Sequence, residues 1–581
     1  MPILQPIVDL VELLVRRGIT DVVVSPGSRS APLTLAVARN PGLRVRVMAD
    51  ERSAGFVALG MAQLSKRPVV LICTSGSAVY NLAPAVAEAF FQQVPLLILT
   101  ADRPHEWLHQ QDGQTIDQVG IFGTHVKRSY DLPADYTHPD SHWAINRSVN
   151  EAITLSQLTP PGPVHVNVPI REPFYPSPDD VFRPGAVRVI DTIPAELTLS
   201  THTWRQLLDD WDDSERVLIL VGQHVYSSAL LTTLRTISDE FNVPVLGEIT
   251  ANLGENGLFI THTDTILTQL TDEQAASLRP DLLLTIGNSL LTRGLKTFFR
   301  RYPARQHWHI QPSPERINDS FQSLTRLISA EPIAFLQQLV NDLDLQRFRQ
   351  GLDDEPGDES AFLTAWQRAN QQATRRVYDL LTTANQPLTD WSAVQQVLTQ
   401  LPINAHLQLA NSMPVRYANL CGLREDQHIS VWANRGVSGI DGCLSTAVGA
   451  ALQTDQLVTL IIGDVAFFYD RNALWSAPVP PNLRIVLLNN DSGHIFRIID
   501  GPGNQPELEP YFETPHGYTA RRTAEDAGLL YHACSTTQEL TSLLPAFFTS
   551  SDKAQLLEIT TDKHANQEQF QRYKASLSIP A

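Results

Sequence analysis

Short runs of consecutive apolar, often β-branched residues recur along the chain, separated by stretches whose apolar positions return every three or four residues. Ile7, Leu10, Val11, Leu14 and Val15 mark one face of an opening helix. Asp21-Val22-Val23-Val24, Val45-Arg46-Val47, Val69 to Cys73, Leu96 to Leu99 and Val164 to Val168 read as strands. Strands that are apolar throughout, alternating with helices, belong in a parallel sheet covered on both faces. The pattern returns in the middle of the chain at Val217 to Gly222, Val243 to Leu246 and Asp281 to Gly287. It returns again at Leu407 to Ala410, Val458 to Ile462 and Ile485 to Leu488. Polar passages at Pro173 to Gly185 and Gly351 to Ser360 read as boundaries. The pattern predicts an α/β protein of three doubly wound parallel-sheet domains, over residues 1–182, 190–345 and 362–581, with no short-period repeat. Ligands of such sheets bind beyond the carboxyl ends of the strands, so chemistry is sought in the residues that follow each run.

Composition narrows the classes. A chain of 581 residues exceeds a single core, and 43% hydrophobic with 18% charged residues is ordinary for a globular protein. A net charge of −18 argues against nucleic acid or an anionic membrane as partner. Arginines that serve anionic substrates must therefore gather locally. The four cysteines form no CxxC pair, which argues against a disulfide framework or a zinc site and suits a reducing compartment. Asp9 and Glu12 interrupt the apolar N-terminal stretch, unlike a secretory signal, and no apolar run approaches the roughly 18 residues of a membrane helix. The expectation is a soluble, cytoplasmic protein.

One strand end carries the sharpest signal. The run Val458 to Ile462 leads into Gly463-Asp464, and a second strand 26 positions further on ends in Asn489-Asn490-Asp491-Ser492-Gly493. That interval accommodates one helix and one strand, which puts Asp464 and Asn490 on the carboxyl edge of neighbouring strands. A carboxylate, an amide oxygen and a backbone carbonyl are hard oxygen ligands suited to octahedral Mg²⁺, with phosphate oxygens completing the shell. Taken singly, Asp464 could cap a helix and Asn489-Asn490-Asp491 could form a turn. Together, at this spacing, they resemble the diphosphate–metal motif of thiamin-diphosphate (ThDP) enzymes, with Val465 in place of the second glycine of the commoner GDG. The resemblance makes Asp464, Asn490 and the Ser492 carbonyl the ligands of Mg²⁺ (or Mn²⁺). It also requires a carboxylic acid beside N1′ of the aminopyrimidine, supplied from another α/β domain. Glu51, in MADERSAGF, fits that demand, although alone it reads equally as a favourable N-terminal helix charge. Gly76 and Asn81, in TSGSAVYN, are expected to open the next helix and to complete the cofactor contact.

Further stretches narrow the family: SPGSRSAPLTLA, TADRP, GQTIDQVGIFG, NSMPVR and NRGVSGIDG. They put Arg29, Arg103, Arg416 and Arg435 at strand ends or just beyond, where four planar guanidinium forks in one cleft would suit substrates with several carboxylates. With these motifs the chain resembles the ThDP-dependent 2-succinyl-5-enolpyruvyl-6-hydroxy-3-cyclohexene-1-carboxylate (SEPHCHC) synthase family of menaquinone and phylloquinone biosynthesis, over essentially its whole length. The resemblance implies a transferase that decarboxylates 2-oxoglutarate and adds the four-carbon unit to isochorismate. It implies that Glu51 activates the cofactor, that Ser438, Gly439 and Ile440 support it, and that Ser412 and Gln114 stand at the reacting centre. Ser28, Arg29, Arg103, Gln114, Arg293, Ser412, Arg416 and Arg435 are implied to bind substrate, with Ile495 and Phe496 as an apolar wall. A site shared between subunits is also implied, and with it a homodimer or homotetramer. Gly294 follows Arg293 where the family often has a second basic residue. His105 and His109 are read as structural or surface groups, and the middle domain as a structural spacer without a GxGxxG or P-loop.

Two alternatives remain open at this point. One is another ThDP-dependent 2-oxoacid decarboxylase or carboligase, of the acetolactate-synthase kind, which needs fewer arginines and normally carries flavin. The other is a non-catalytic nucleotide-binding protein on doubly wound domains, which has no reason to keep Glu51 together with Asp464 and Asn490.

Overall fold

The computed structural model describes residues 5–577 except 173, 178–179, 194, 196, 255–256, 269, 351–359, 384–385, 476–477 and 500, and the side chains of 347–350. Of the expected polar boundary at Gly351 to Ser360, only Ser360 lies among the described residues. It caps the helix Ala361–Thr382, its Oγ accepting the Phe362 N–H at 3.3 Å.

Three parallel sheets follow one another along the chain. The first contains β1 (Asp21–Val24), β2 (Arg44–Val47), β3 (Val69–Cys73), β4 (Leu96–Asp102), β5 (Ser129–Asp131) and β6 (Val164–Pro169), in the order β2-β1-β3-β4-β6-β5. The second contains β7 (Val217–Val221), β8 (Val245–Gly247), β9 (Leu282–Ile286), β10 (Gln306–Gln311) and β11 (Arg326–Ser329), in the order β11-β10-β9-β7-β8. The third contains β12 (His406–Leu409), β13 (Ser430–Ala433), β14 (Val458–Gly463), β15 (Leu483–Asn489), β16 (Leu530–Cys534) and β17 (Gln555–Thr560), in the order β13-β12-β14-β15-β17-β16. The first and third sheets thus have the same topology, a long-range repeat that short-period inspection of the sequence does not reveal. β5, β10, β11, β13, β16 and β17 were not among the expected strands. β10 shows why: its HWHI segment buries His307 and His309 among hydroxyl and amide partners, so it lacks an apolar signature.

Burial on both faces follows the alternation along each strand. Leu460 and Ile462 of β14 join one core and Ile461 the other. The core holding Leu460 also holds Leu71, Cys73, Leu96 and Ile98 of the first sheet, so the first and third domains share apolar packing. Two helices carry that junction. Glu51–Ser65 follows β2, starts where the Asp50 side chain accepts the Ser53 N–H at 3.2 Å, and stops at left-handed Lys66. Cys443–Ala451 follows β13, the equivalent strand of the third sheet. They cross on glycines: a Cβ on Gly60 would lie 2.0 Å from the Thr446 carbonyl oxygen, and a Cβ on Gly449 would lie 2.0 Å from the Val57 carbonyl oxygen. Only hydrogen side chains permit this backbone approach.

Candidate active site

β14 and β15 are neighbours, and their ends deliver the expected acid and amide. Asp464 is 2% exposed. Its Oδ1 accepts the Val465 N–H at 2.7 Å, and its Oδ2 accepts the backbone N–H groups of Asn490 and Ser492, each at 3.1 Å. The carboxylate therefore ties two strand ends into one concave edge. Asn490 donates through Nδ2 to Asp390 Oδ2 at 2.6 Å, while its buried Oδ1 has no partner among the described residues. The Ser492 carbonyl accepts the His494 N–H at 2.8 Å and keeps a second lone pair. His516 completes the rim, its Nε2 3.5 Å from Asp464 Oδ2 and its ring stacked on Tyr518. Among the described residues no three His, Cys, Asp or Glu side chains cluster as a metal site. A cation here would rest on Asp464, the free Asn490 oxygen, a carbonyl and the ligand's own oxygens, a donor set that suits Mg²⁺ bound with a phosphate.

The loops after β12 and β13 form the next wall. Asn411 donates to the carbonyls of Asn434 (2.7 Å) and Gly439 (2.6 Å), and its Oδ1 accepts Arg435 at 2.9 Å. Ser412 sits at φ +74°, ψ −127°, a conformation sparsely populated by residues other than glycine, and its carbonyl accepts Arg416 at 2.5 Å. Arg416 is thus in the helix Met413–Cys421 rather than in a loop. Glu88, only 2% exposed, reaches from the first domain to accept the N–H groups of Gly436 (2.7 Å) and Val437 (2.6 Å). It fixes the loop that carries Ser438, at φ +66°, Gly439 and half-buried Ile440. Burial pushes the Glu88 carboxyl up despite these donors. Burial also draws Arg416 and Arg435 down from the usual guanidinium range, and Arg435 adds to the effect on Arg416. The central domain contributes here. Glu248 accepts the N–H groups of Leu291 (2.5 Å) and Thr292 (2.7 Å), and Asp264 holds the Gly294 N–H, so the two acids fix the turn that presents exposed Arg293. Ile495 and Phe496 open the short helix Ile495–Ile498, with the Phe496 ring 5.6 Å from that of Phe512.

The first domain supplies a second cluster. Arg103 donates to Asp112 Oδ2 (2.8 Å), to the Gln114 carbonyl (3.2 Å) and to Ser75 Oγ (3.3 Å). Arg29 donates to the Ile170 carbonyl at 3.0 Å and lies over the Phe174 ring. Burial first, then Arg103, draws its pKa down. Ser28 and the Gln114 side chain are exposed beside them. Gly76, at φ +86°, lets its backbone meet Gln114, where a Cβ would be 3.1 Å from the Gln114 Cα. Glu51 begins its helix half-exposed, and Asn81 Nδ2 donates to its Oε2 at 3.4 Å. Asn81 closes the short helix Ser77–Asn81 rather than opening one. His105 and His109 are exposed and pair with Asp131 and Asp117.

Within one chain the four arginines expected in a single cleft form two pairs, Arg29 with Arg103 and Arg416 with Arg435. Among the described residues no hydrogen bond or ion pair joins Glu51 to Asp464, Asn490 or Ser492. Instead Asp50 accepts Asn472 Nδ2 at 2.8 Å, and Arg52 donates to the Tyr469 carbonyl at 3.0 Å. Sequence reading passed over Glu88, Glu248, Asp264, Asp390 and His516. Glu88 alone left a trace, as a single carboxylate inside the apolar run AVAEAFF.

A sheet edge that gathers acid, amide and carbonyl oxygens, opposite a domain of the same topology, fits the thiamin-diphosphate-dependent enzymes. Residues 8–121 match the family model "Thiamine pyrophosphate enzyme, N-terminal TPP binding domain". The chain is 43% identical to the 2-succinyl-5-enolpyruvyl-6-hydroxy-3-cyclohexene-1-carboxylate synthase of Cytophaga hutchinsonii over 99% of each chain. It is 35% identical to that of Flavobacterium psychrophilum over 96% of each, and 36% identical to that of Porphyromonas gingivalis over 98% of this chain and 96% of the relative. The chain belongs to the SEPHCHC synthase family.

Proposed function

We propose that this chain decarboxylates 2-oxoglutarate and joins the resulting four-carbon unit to isochorismate, in the formation of menaquinone or phylloquinone. Arg416 and Arg435 carry this reading. Both are half-buried at the edge of the sheet that bears Asp464 and Asn490, and neither makes an ion pair among the described residues. Cations held there by neutral oxygens, with no described carboxylate in ion-pair range, call for an anionic ligand, and two substrates with several carboxylates between them supply it.

ThDP, when bound, supplies the electron sink for the decarboxylation. Asp464 Oδ2, the free Asn490 Oδ1 and the Ser492 carbonyl would hold Mg²⁺ or Mn²⁺ against its diphosphate. Glu51 would share a proton with N1′ of the aminopyrimidine, its Oε2 steadied by Asn81. The backbone at Gly76, Ser438 and Gly439 and the side chain of Ile440 would shape the cofactor's cradle. Ser28, Arg29, Arg103, Gln114, Arg293, Ser412, Arg416 and Arg435 would orient the substrate carboxylates and hydroxyls, while Ile495 and Phe496 keep water from the reacting centre.

The unlinked halves in one chain support a site built from two copies, the Glu51 face of one meeting the Asp464 face of the other in a homodimer or dimer of dimers. Exposed Tyr80, Tyr469 and Trp475, at 58%, 55% and 69%, give such an assembly apolar surface to cover. Cytoplasmic residence accords with four cysteines all free. Among the described residues no helix is long and apolar enough to cross a membrane. Purified protein with ThDP, Mg²⁺, isochorismate and 2-oxoglutarate should consume isochorismate as it releases CO₂, and Glu51→Gln should do neither. Release of CO₂ without loss of isochorismate would instead make the chain a 2-oxoacid decarboxylase.

A further inference from the structure

The Asn490 amide has a donor end and an acceptor end of nearly equal shape, and only its oxygen can ligate a cation. What decides which end stays free is a carboxylate 100 positions earlier in the chain. Asp390, 2% exposed, opens the helix Asp390–Gln400, and its Oδ2 accepts Asn490 Nδ2 at 2.6 Å. Its Oδ1 accepts Thr561 Oγ1, also at 2.6 Å, and its backbone N–H donates to Asn566 Oδ1 at 2.8 Å. Asn566 Nδ2 in turn donates to Thr561 Oγ1 at 3.1 Å. Thr561 directly follows β17, the neighbour of β15, so the network closes across adjacent strand ends.

An ionised carboxylate accepts and never donates. With Thr561 on one oxygen, Asp390 presents only an acceptor to Asn490, and a flipped amide would bring two oxygens to 2.6 Å. The unpartnered Asn490 Oδ1 is therefore turned away from Asp390. We infer that Asp390 is a positioning residue that locks the Asn490 amide with its oxygen toward the cation, making a ligand of a side chain otherwise free to present either end. The inference rests on the metal reading above and adds an outer layer of Asp390, Thr561 and Asn566 to it.

A Mn²⁺ titration of the full chain with excess ThDP, free Mn²⁺ being read by electron paramagnetic resonance, tests this without turnover. Asp390→Ala should weaken Mn²⁺ binding roughly 10–100-fold, the usual loss when an outer-shell partner is removed. Asp390→Asn, whose oxygen takes the Thr561 hydroxyl and whose NH2 then faces Asn490, should recover little of it. Wild-type affinity in folded Asp390→Ala overturns the inference. Should Asp390→Ala not fold, the exchange Asp390→Asn with Asn490→Asp again sets a donor against an acceptor, and should bind Mn²⁺ more tightly than Asn490→Asp alone. Equal binding by those two overturns the inference as well. A wild-type protein that binds no Mn²⁺ refutes the metal reading itself, before Asp390 comes into question.

Discussion

Gly60→Ala should separate the two helices that join the first and third domains. The new methyl would sit 2.0 Å from the Thr446 carbonyl oxygen, where contacts under 3.0 Å are essentially never populated. Both atoms belong to helix backbone, so no side chain can swing aside, and the helices must part by about 1 Å. Opening of that size forfeits a quarter to a half of each dispersion contact across the junction, and overpacking of this kind costs about 1–3 kcal/mol. Catalysis should suffer more than stability. The same helix begins at Glu51, and a shift of about 1 Å at a reacting group can cost about 100-fold in rate. Thermal melting with and without ThDP, together with kcat, measures both effects. Gly449→Ala should behave alike, because its methyl meets the Val57 carbonyl oxygen at the same 2.0 Å. The double variant should cost little beyond either single one, since one parting relieves both clashes. Gly113→Ala, with no atom within 4 Å of the added methyl, is the stability control. Full activity and an unchanged melting temperature in Gly60→Ala would refute the reasoning.

Two further outcomes are expected. Mixing inactive Glu51→Gln and Asp464→Asn chains under conditions that exchange subunits should restore about a quarter of wild-type activity, because half the dimers are mixed and one of their two sites has both residues intact. No recovery from demonstrably mixed dimers would place the site within one chain. His165 is fully buried between Thr100 and Ser129, and burial draws its pKa down from 6.5 to about 3. It stays neutral in the fold but protonates on unfolding, so its contribution is complete above pH 6.5 and is lost as pH falls toward 3. The wild type should therefore lose stability relative to His165→Gln by up to about 1.4 kcal/mol per pH unit between pH 6 and 4. Parallel pH dependences in denaturant titrations would refute this.

The sheets were legible where a strand is buried on both faces and apolar at nearly every position, as β1, β3, β4, β7, β9, β14 and β15 are. They were illegible in β16, half-exposed at a sheet edge, in β10, which buries imidazoles, and in β17, which buries Gln555 and Glu558 among its apolar residues. The site divides in the same way. Asp464 and Asn490 could be placed on neighbouring strand ends because 26 positions is one helix and one strand. Glu88 and Asp390 could not be singled out. Each is one carboxylate in an unremarkable helix, and its meaning lies in a partner 348 or 100 positions away. Local pattern names the groups at an edge; only packing names those that hold them in place.

The shared topology of the first and third sheets makes the division of labour intelligible. Glu51 follows β2 and the Asn434 to Asp441 loop follows β13; Gly76 follows β3 and Asp464 follows β14; Arg103 follows β4 and Asn490 follows β15. On the proposed function, the same places on the same scaffold would carry an acid for an organic ring in one copy and oxygens for a cation in the other. Their equivalent helices, Glu51–Ser65 and Cys443–Ala451, already pack on each other through glycines, which faces the domains together without merging their two carboxyl edges. A second chain related by a two-fold axis would bring each edge its complement, and the two junction helices of one chain would then position a proton-handling acid in one site and a cofactor loop in the other. On that arrangement a change at Gly60 reaches both sites of the dimer at once, whereas loss of Asp390 disturbs only the cation edge of its own chain.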